Sequence, residues 1–417
     1  MENLFAAFET TSPEQWKAKL EKDLKGVTFE QLSRTDANNF IIYPFYTRED
    51  LAAGSSALFR HTDWSIMQHI IVEDAGAANT LALAQLNDGV SGLAFQLSGP
   101  ADLSVLLEGV ELPYITVVFE AAADDTSFAD RLRAYLDTAY PGQTDLNVYI
   151  NTTSPDQQPV NRTLSINATG YNNRGANSVT ELAAIACNLN EQLHRLSATG
   201  DLQATVRKVY ISLATDTLFY EQLSKLRALR VILHTLLQSY DITPDVYIHA
   251  VTSHIYRSHI DMHSNMLRDT LSAMAAVAGG ADAVTVYPYD YAVRTPSGFS
   301  LRMAKNIQLL LREEAYLHHI ADVSAGSYYI ETLTRQLAEG AWTLFRELEQ
   351  QGGWTTAQAG LDRLITEQAD QLVLSYKEGK KVLIGANKYK NNMETEIPSF
   401  RPGFPAPHHI NIAQALS

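Results

Sequence analysis

The chain has 417 residues, 46% of them hydrophobic and 19% charged, enough to bury a large core in one sizeable domain with appendages or in two domains, and unlike a disordered or fibrous protein. A formal net charge of -15 with no Lys/Arg block repels phosphate backbones and anionic lipid surfaces, so no nucleic-acid or membrane partner is expected, and any anionic ligand would need a local cationic cluster. The single cysteine, Cys187, excludes an intrachain disulfide and a cysteine metal cage, and its run LAAIACNL marks it as a small core residue.

The N-terminal stretch MENLFAAFETTSPEQW lacks the basic and apolar regions of a signal peptide, and no apolar run reaches about 18 residues, so the expected location is the cytoplasm. The first predicted element is a helix over SPEQWKAKLEKDLKG. Ser12 is its N-cap, Pro13 its first residue, and Trp16, Leu20 and Leu24 follow at four-residue spacing up to Gly26. The aromatic segment FIIYPFYTREDL has no clear element. Residues 1–63 therefore read as an arm that contacts another subunit.

From residue 64 short β-rich runs alternate with helical segments. Strands are predicted at 66–72, 92–97, 114–120, 146–151, 164–170, 208–214, 246–252 and 283–288. The clearest helices carry Val179, Leu182, Ala186, Leu189 and Leu193, then Phe219, Leu223, Leu226, Leu229, Leu233 and Leu236; a third places Ile260, Leu267, Leu271, Met274 and Ala278 on one apolar face. Strands joined by crossover helices pair in parallel, and eight such units over 64–325 predict an α/β fold, a TIM (β/α)8 barrel. The alternative is a doubly wound open sheet, which lacks support because no Gly-rich phosphate loop follows the first strand. NTTSPDQQPVNRT, between the fourth and fifth strands, has no room for a helix and shortens the loops at the barrel mouth. Residues 326–417 read as a helical extension ending in a Pro- and His-rich tail, an arm or truncated linker.

Several segments, in order, resemble the methylmalonyl-CoA mutase family: WKAKLEKDLKG, PFYTREDL, HIDMHSNMLRDTLSAM, GGADAVTVYPYD, GFSLRMAKNIQLLLREE, AGSYYIETLT, GAWTLFRELEQQGG and IGANKYK. The resemblance spans residue 16 to about 390 and implies a barrel that interconverts methylmalonyl-CoA and succinyl-CoA in propionate metabolism, using radicals from adenosylcobalamin. It also implies a choice between a catalytic large chain and a related small (beta) chain. The family's cobalt-ligating D-x-H-x-x-G motif has only a near match here, Asp261-Met262-His263-Ser264-Asn265-Met266, read as part of an amphipathic helix.

The same resemblance implies a degraded site. Phe59 stands where the catalytic chain has a tyrosine, and Met67 where it has an arginine. Of a Tyr-His pair the tyrosine is kept as Tyr171, a mouth-facing candidate, and Asn172 replaces the histidine. Tyr247 replaces an arginine beside a retained His249, Val251 replaces a glutamine, and Thr285 and Tyr287 replace His and Asn. Arg162 is a remnant candidate for the shortened arginine loop, while the pair His318-His319 has no metal-ligand spacing around it. The expectation is a small, non-catalytic subunit that binds no cofactor itself and forms a heterodimer with a methylmalonyl-CoA mutase large subunit carrying adenosylcobalamin. A competent acyl-CoA mutase barrel served by a cobalamin domain on a separate chain, and a metabolite-binding regulator, are the alternatives.

Overall fold

A computed structural model of the chain describes residues 11–51, 63–121, 125–143, 145–151, 159–198, 200–390 and 398–417. Eight strands form one parallel sheet: β1 Ser65–Val72, β2 Gly92–Leu97, β3 Thr116–Glu120, β4 Val148–Ile150, β5 Thr163–Asn167, β6 Lys208–Thr215, β7 Asp245–Thr252 and β8 Ala283–Thr285. β8 pairs with both β7 and β1, with Ala283 opposite His249 and Ser65, so the last strand meets the first and the sheet curls into a nearly closed barrel. Each predicted strand is present, and the TIM-type (β/α)8 fold is the one the alternation implies.

The β4–β5 junction lacks a strand ladder among the described residues. Side chains bridge it instead. Asn161 Nδ2 donates to the Leu146 carbonyl at 2.8 Å, and Lys208 Nζ reaches Asn147 Oδ1 at 3.0 Å and the Asp145 carboxylate at 3.1 Å.

Around the sheet run α1 Ala75–Asn87, α2 Leu103–Leu106, α3 Phe128–Ala139, α4 Ser178–Ser197, α5 Phe219–Gln238, α6 Ser264–Ala278 and α7 Gly298–Leu309. α8 Tyr328–Gln350, α9 Gly353–Lys377 and α10 Ile412–Leu416 follow. The apolar faces predicted for α4 and α5 are buried, Leu182, Leu189, Leu226 and Leu229 completely so. Buried ion pairs lock these helices: Lys225 to Glu181 at 2.7 Å, Arg227 to Asp322 and to Glu331 (2.8 Å), and Arg257 to Asp269 at 2.9 Å.

α6 corrects the sequence reading. Leu267 and Leu271 are 70% and 43% exposed, whereas Asn265, Asp269 and Ser272 are buried. The polar side wins because each group finds a fixed partner: Asn265 Nδ2 donates to the Ser258 and Tyr289 carbonyls, both at 3.0 Å, and Ser272 Oγ to the Thr215 carbonyl at 2.7 Å.

The arm helix Pro13–Asp23 starts with the predicted Ser12 cap, closed into a capping box by Gln15. A two-residue hairpin, Arg34–Thr35 with Ile41–Ile42, follows where no element was expected. The hairpin lies against α4 and α5: Val179 N donates to Asn38 Oδ1 at 3.1 Å, and Asn38 Nδ2 donates to Glu221 at 3.0 Å. The tail packs on the barrel, and residues 400–412 cross its mouth. Arg401 N donates to the Ala292 carbonyl at 2.9 Å, Ile410 N to Asn173 O at 2.8 Å and Ile412 N to Ile255 O at 2.9 Å.

Candidate functional site

Alternate residues of each strand point into the barrel. Deep in the bore the Tyr247 hydroxyl hydrogen-bonds with Ser65 Oγ at 3.0 Å and Thr116 Oγ1 at 2.9 Å. Its ring lies 4.9 Å from that of Tyr149, which stacks on Tyr210 at 4.6 Å across the β4–β5 junction. Met67, Ala94, Val118 and Ala283 complete this layer. Gly92 leaves room for the Met67 thioether, which a Cβ there would strike. Burial pushes the Tyr247 hydroxyl up to about 12 and those of Tyr149 and Tyr210 upward as well, so all three stay neutral.

Above that layer His249 is 2% exposed, with Nδ1 hydrogen-bonded to Tyr210 Oη and Nε2 to Thr285 Oγ1, both at 2.7 Å. Burial lowers it to about 3, so the ring is a neutral bridge between strands. His69 pairs through Nε2 with Gln96 Oε1 at 3.1 Å and is lowered to about 4, mainly by burial. Glu120 closes the ring of strand ends, its carboxyl pushed up by burial alone.

These groups, with Asn173, Tyr287 and Tyr291, line a mouth cavity of about 170 Å³ whose outer wall is the tail: Arg401, Gly403, Phe404, Ala406 and His409. The Arg401 guanidinium sits 3.9 Å from the Tyr291 ring centroid, and Phe404 packs edge-on against His254 at 5.4 Å. Arg401 is the one Arg or Lys among the described lining residues.

Of the residues singled out in the sequence, His249, Val251, Thr285 and Tyr287 line this cavity. Tyr247 and Met67 belong to the bore below it, so neither replacement sits at the mouth. Tyr171 does not line the cavity: it lies edge-on to Trp354, 6.2 Å between centroids, on the flank of the barrel. Asn172 also turns away. Its Nδ2 donates to Asp216 Oδ2 at 3.0 Å and its Oδ1 accepts from Ser253 Oγ at 2.6 Å. Arg162 lies at the opposite end of the barrel, its carbonyl accepting from Arg207 N at 2.8 Å just before β5 and β6 begin. Phe59 lies outside the described residues.

Sequence reading missed His69, Gln96, Glu120 and Arg401. The first three were discoverable as inward positions at the C-terminal ends of their strands, where barrel sites are built. Arg401 carried no signal, because nothing in an aperiodic tail says where it folds back.

His263, in the near match to the cobalt motif, precedes α6 in a turn and packs its ring 5.1 Å from Tyr289. The rings of His318 and His319 lie 4.3 Å apart, and no group of three His, Cys, Asp or Glu able to hold a metal occurs among the described residues.

Fold and site together define a (β/α)8 barrel, with its bore filled and its mouth covered by its own tail. The family model for methylmalonyl-CoA mutase matches residues 131–404, about two thirds of the chain. A protein named methylmalonyl-CoA mutase small subunit from Porphyromonas gingivalis is 30% identical over 94% of this chain and 72% of its own length. A probable methylmalonyl-CoA mutase small subunit from Mycobacterium bovis is 30% identical over 85% of this chain and 64% of its length, and a methylmalonyl-CoA mutase from Cereibacter sphaeroides is 27% identical over 93% and 66%. The chain thus spans about two thirds of the length of these relatives, and it belongs to the methylmalonyl-CoA mutase family.

Proposed function

We propose that this chain acts as a non-catalytic small subunit that binds and stabilises a large mutase chain in the cytoplasm. That large chain carries adenosylcobalamin and isomerises methylmalonyl-CoA to succinyl-CoA. The supporting observation is the closed barrel: the Tyr149–Tyr210–Tyr247 layer below and the tail above leave about 170 Å³, room for about six heavy atoms and several times too little for a CoA thioester. The net charge of -15, with Arg401 the one Arg or Lys among the described lining residues, adds an unfavourable field for a polyanionic CoA. The arm carries the partner surface in this reading. Ile41 and Phe45 are 52% and 53% exposed on it, next to Tyr43, and form an apolar edge suited to a second chain.

Co-expression with the large chain from the same source tests this. The expected result is a one-to-one complex in which turnover requires the large chain, and an isolated small chain with none. Cobalamin-dependent turnover by the isolated chain supplied with a separate cobalamin domain would overturn the non-catalytic role, and failure to co-purify would overturn the partnership.

A further inference from the structure

The mouth cavity holds an unusual concentration of unpartnered polar groups. Arg401 Nε, His254 Nδ1 and His409 Nδ1 are all buried without a hydrogen-bond partner, and all three residues line the cavity. Glu120 lines it too, with no hydrogen bond or ion pair offsetting its burial among the described residues. A buried polar group left unsatisfied is costly, so several facing one space mark a place where something polar sits. Water can satisfy neutral nitrogens, but the Arg401 charge has no carboxylate ion-pair partner among the described residues and rests against Tyr291, through its ring and its hydroxyl.

The cavity is polarised. Glu120 enters from the end of β3 and Arg401 from the tail, so an acid and a cation from separate elements line the same space. About 170 Å³ is close to the volume of an engineered cavity that accepts a six-carbon ring, which sets a size of about six heavy atoms.

We infer that the barrel mouth is a binding site for a short hydroxycarboxylate, its carboxylate held by Arg401 and its hydroxyl turned towards Glu120. The ligand bridges the tail to β3, so occupancy orders residues 400–410. This holds whether or not a second chain docks on the arm, because the cavity is lined by this chain's own strands and tail.

Equilibrium dialysis of the full chain with radiolabelled lactate tests the inference, read together with hydrogen exchange of the tail. The expected results are saturable binding in the roughly millimolar range, slower exchange over 400–410, weakening by about tenfold or more in Arg401→Gln with Arg401→Lys intermediate, and weaker binding of propionate, which lacks the hydroxyl. Methyl lactate, without the charge, and citrate, above the size limit, should not compete. The folded Arg401→Gln chain, checked by circular dichroism, is the decisive variant. Absence of saturable lactate binding to the wild-type chain, unchanged affinity in Arg401→Gln, or competition by methyl lactate equal to that by lactate would overturn the site.

Discussion

Gly175→Ala is the sharpest single test of how the tail is seated. Gly175 follows the one-turn helix Thr169–Asn173 and has φ +96°, a region L side chains rarely adopt. A Cβ there would lie 2.7 Å from Ala369 Cβ, 2.8 Å from Ala369 Cα and 2.9 Å from Ile410 Cδ1, so the added methyl meets α9 and the tail together. The left-handed conformation costs about 1–2 kcal/mol for alanine. Overpacking against the α9 backbone, which cannot swing aside as a side-chain end can, adds about 1–3 kcal/mol. The sum is about 2–5 kcal/mol, a large fraction of the stability of an ordinary domain. Urea unfolding followed by circular dichroism measures it, and hydrogen exchange locates it. The Ile410 N–H, bonded to the Asn173 carbonyl at 2.8 Å, should exchange faster, with the rest of the tail. A loss below about 0.5 kcal/mol with unchanged tail exchange would refute this account of the packing.

Three further outcomes follow from the buried groups. Lys225→Met leaves Glu181 buried and unpaired and should cost about 3–5 kcal/mol, while the double variant Lys225→Met/Glu181→Leu recovers most of it, as a thermodynamic cycle of urea midpoints will show. His69 and His249 have folded-state pKa values of about 4 and about 3, below the ordinary histidine value, so the unfolded chain binds more protons and stability falls as pH drops from about 6.5 towards these values. At pH 5 each contributes a loss of roughly 2 kcal/mol, and His249→Gln should flatten the stability curve by that amount between pH 7 and 5. Buried acids such as Glu120, raised by burial, work in the opposite direction, so the difference between wild type and variant is the quantity to read. Cys187 is fully buried and donates to Glu349 at 3.1 Å, its thiol pushed up by burial; a disulfide reagent should therefore label it only in denaturant, and rapid labelling of the folded chain would contradict the packing of α4 against α8.

Most of the barrel was legible because strand and helix periodicities are local. All eight strands followed from apolar runs between turn signals, and α4 and α5 from leucines at helical spacing. α6 was misread in part for a physical reason: its buried face joins Asn265, Asp269 and Ser272 to Ala273, Ala275, Ala276 and the predicted Ala278, and whether polar side chains are buried depends on partners such as Arg257 and the Ser258 carbonyl that sequence spacing does not reveal. The site was harder to read. Alternation says that Tyr247 and His249 both face inward, but their different depths depend on strand register, which follows from the closed sheet as a whole. The tail was beyond reach, since the positions of Arg401 and His409 rest on contacts with residues more than a hundred positions away, among them Asn173 and Ala292.

Among the described residues, the nearly closed barrel leaves a mouth cavity too small for a CoA thioester. Calorimetric titration of the isolated chain with methylmalonyl-CoA tests it most directly. The tyrosine layer and the tail predict no saturable heat up to about 1 mM ligand, and binding at about the micromolar level would contradict the claim.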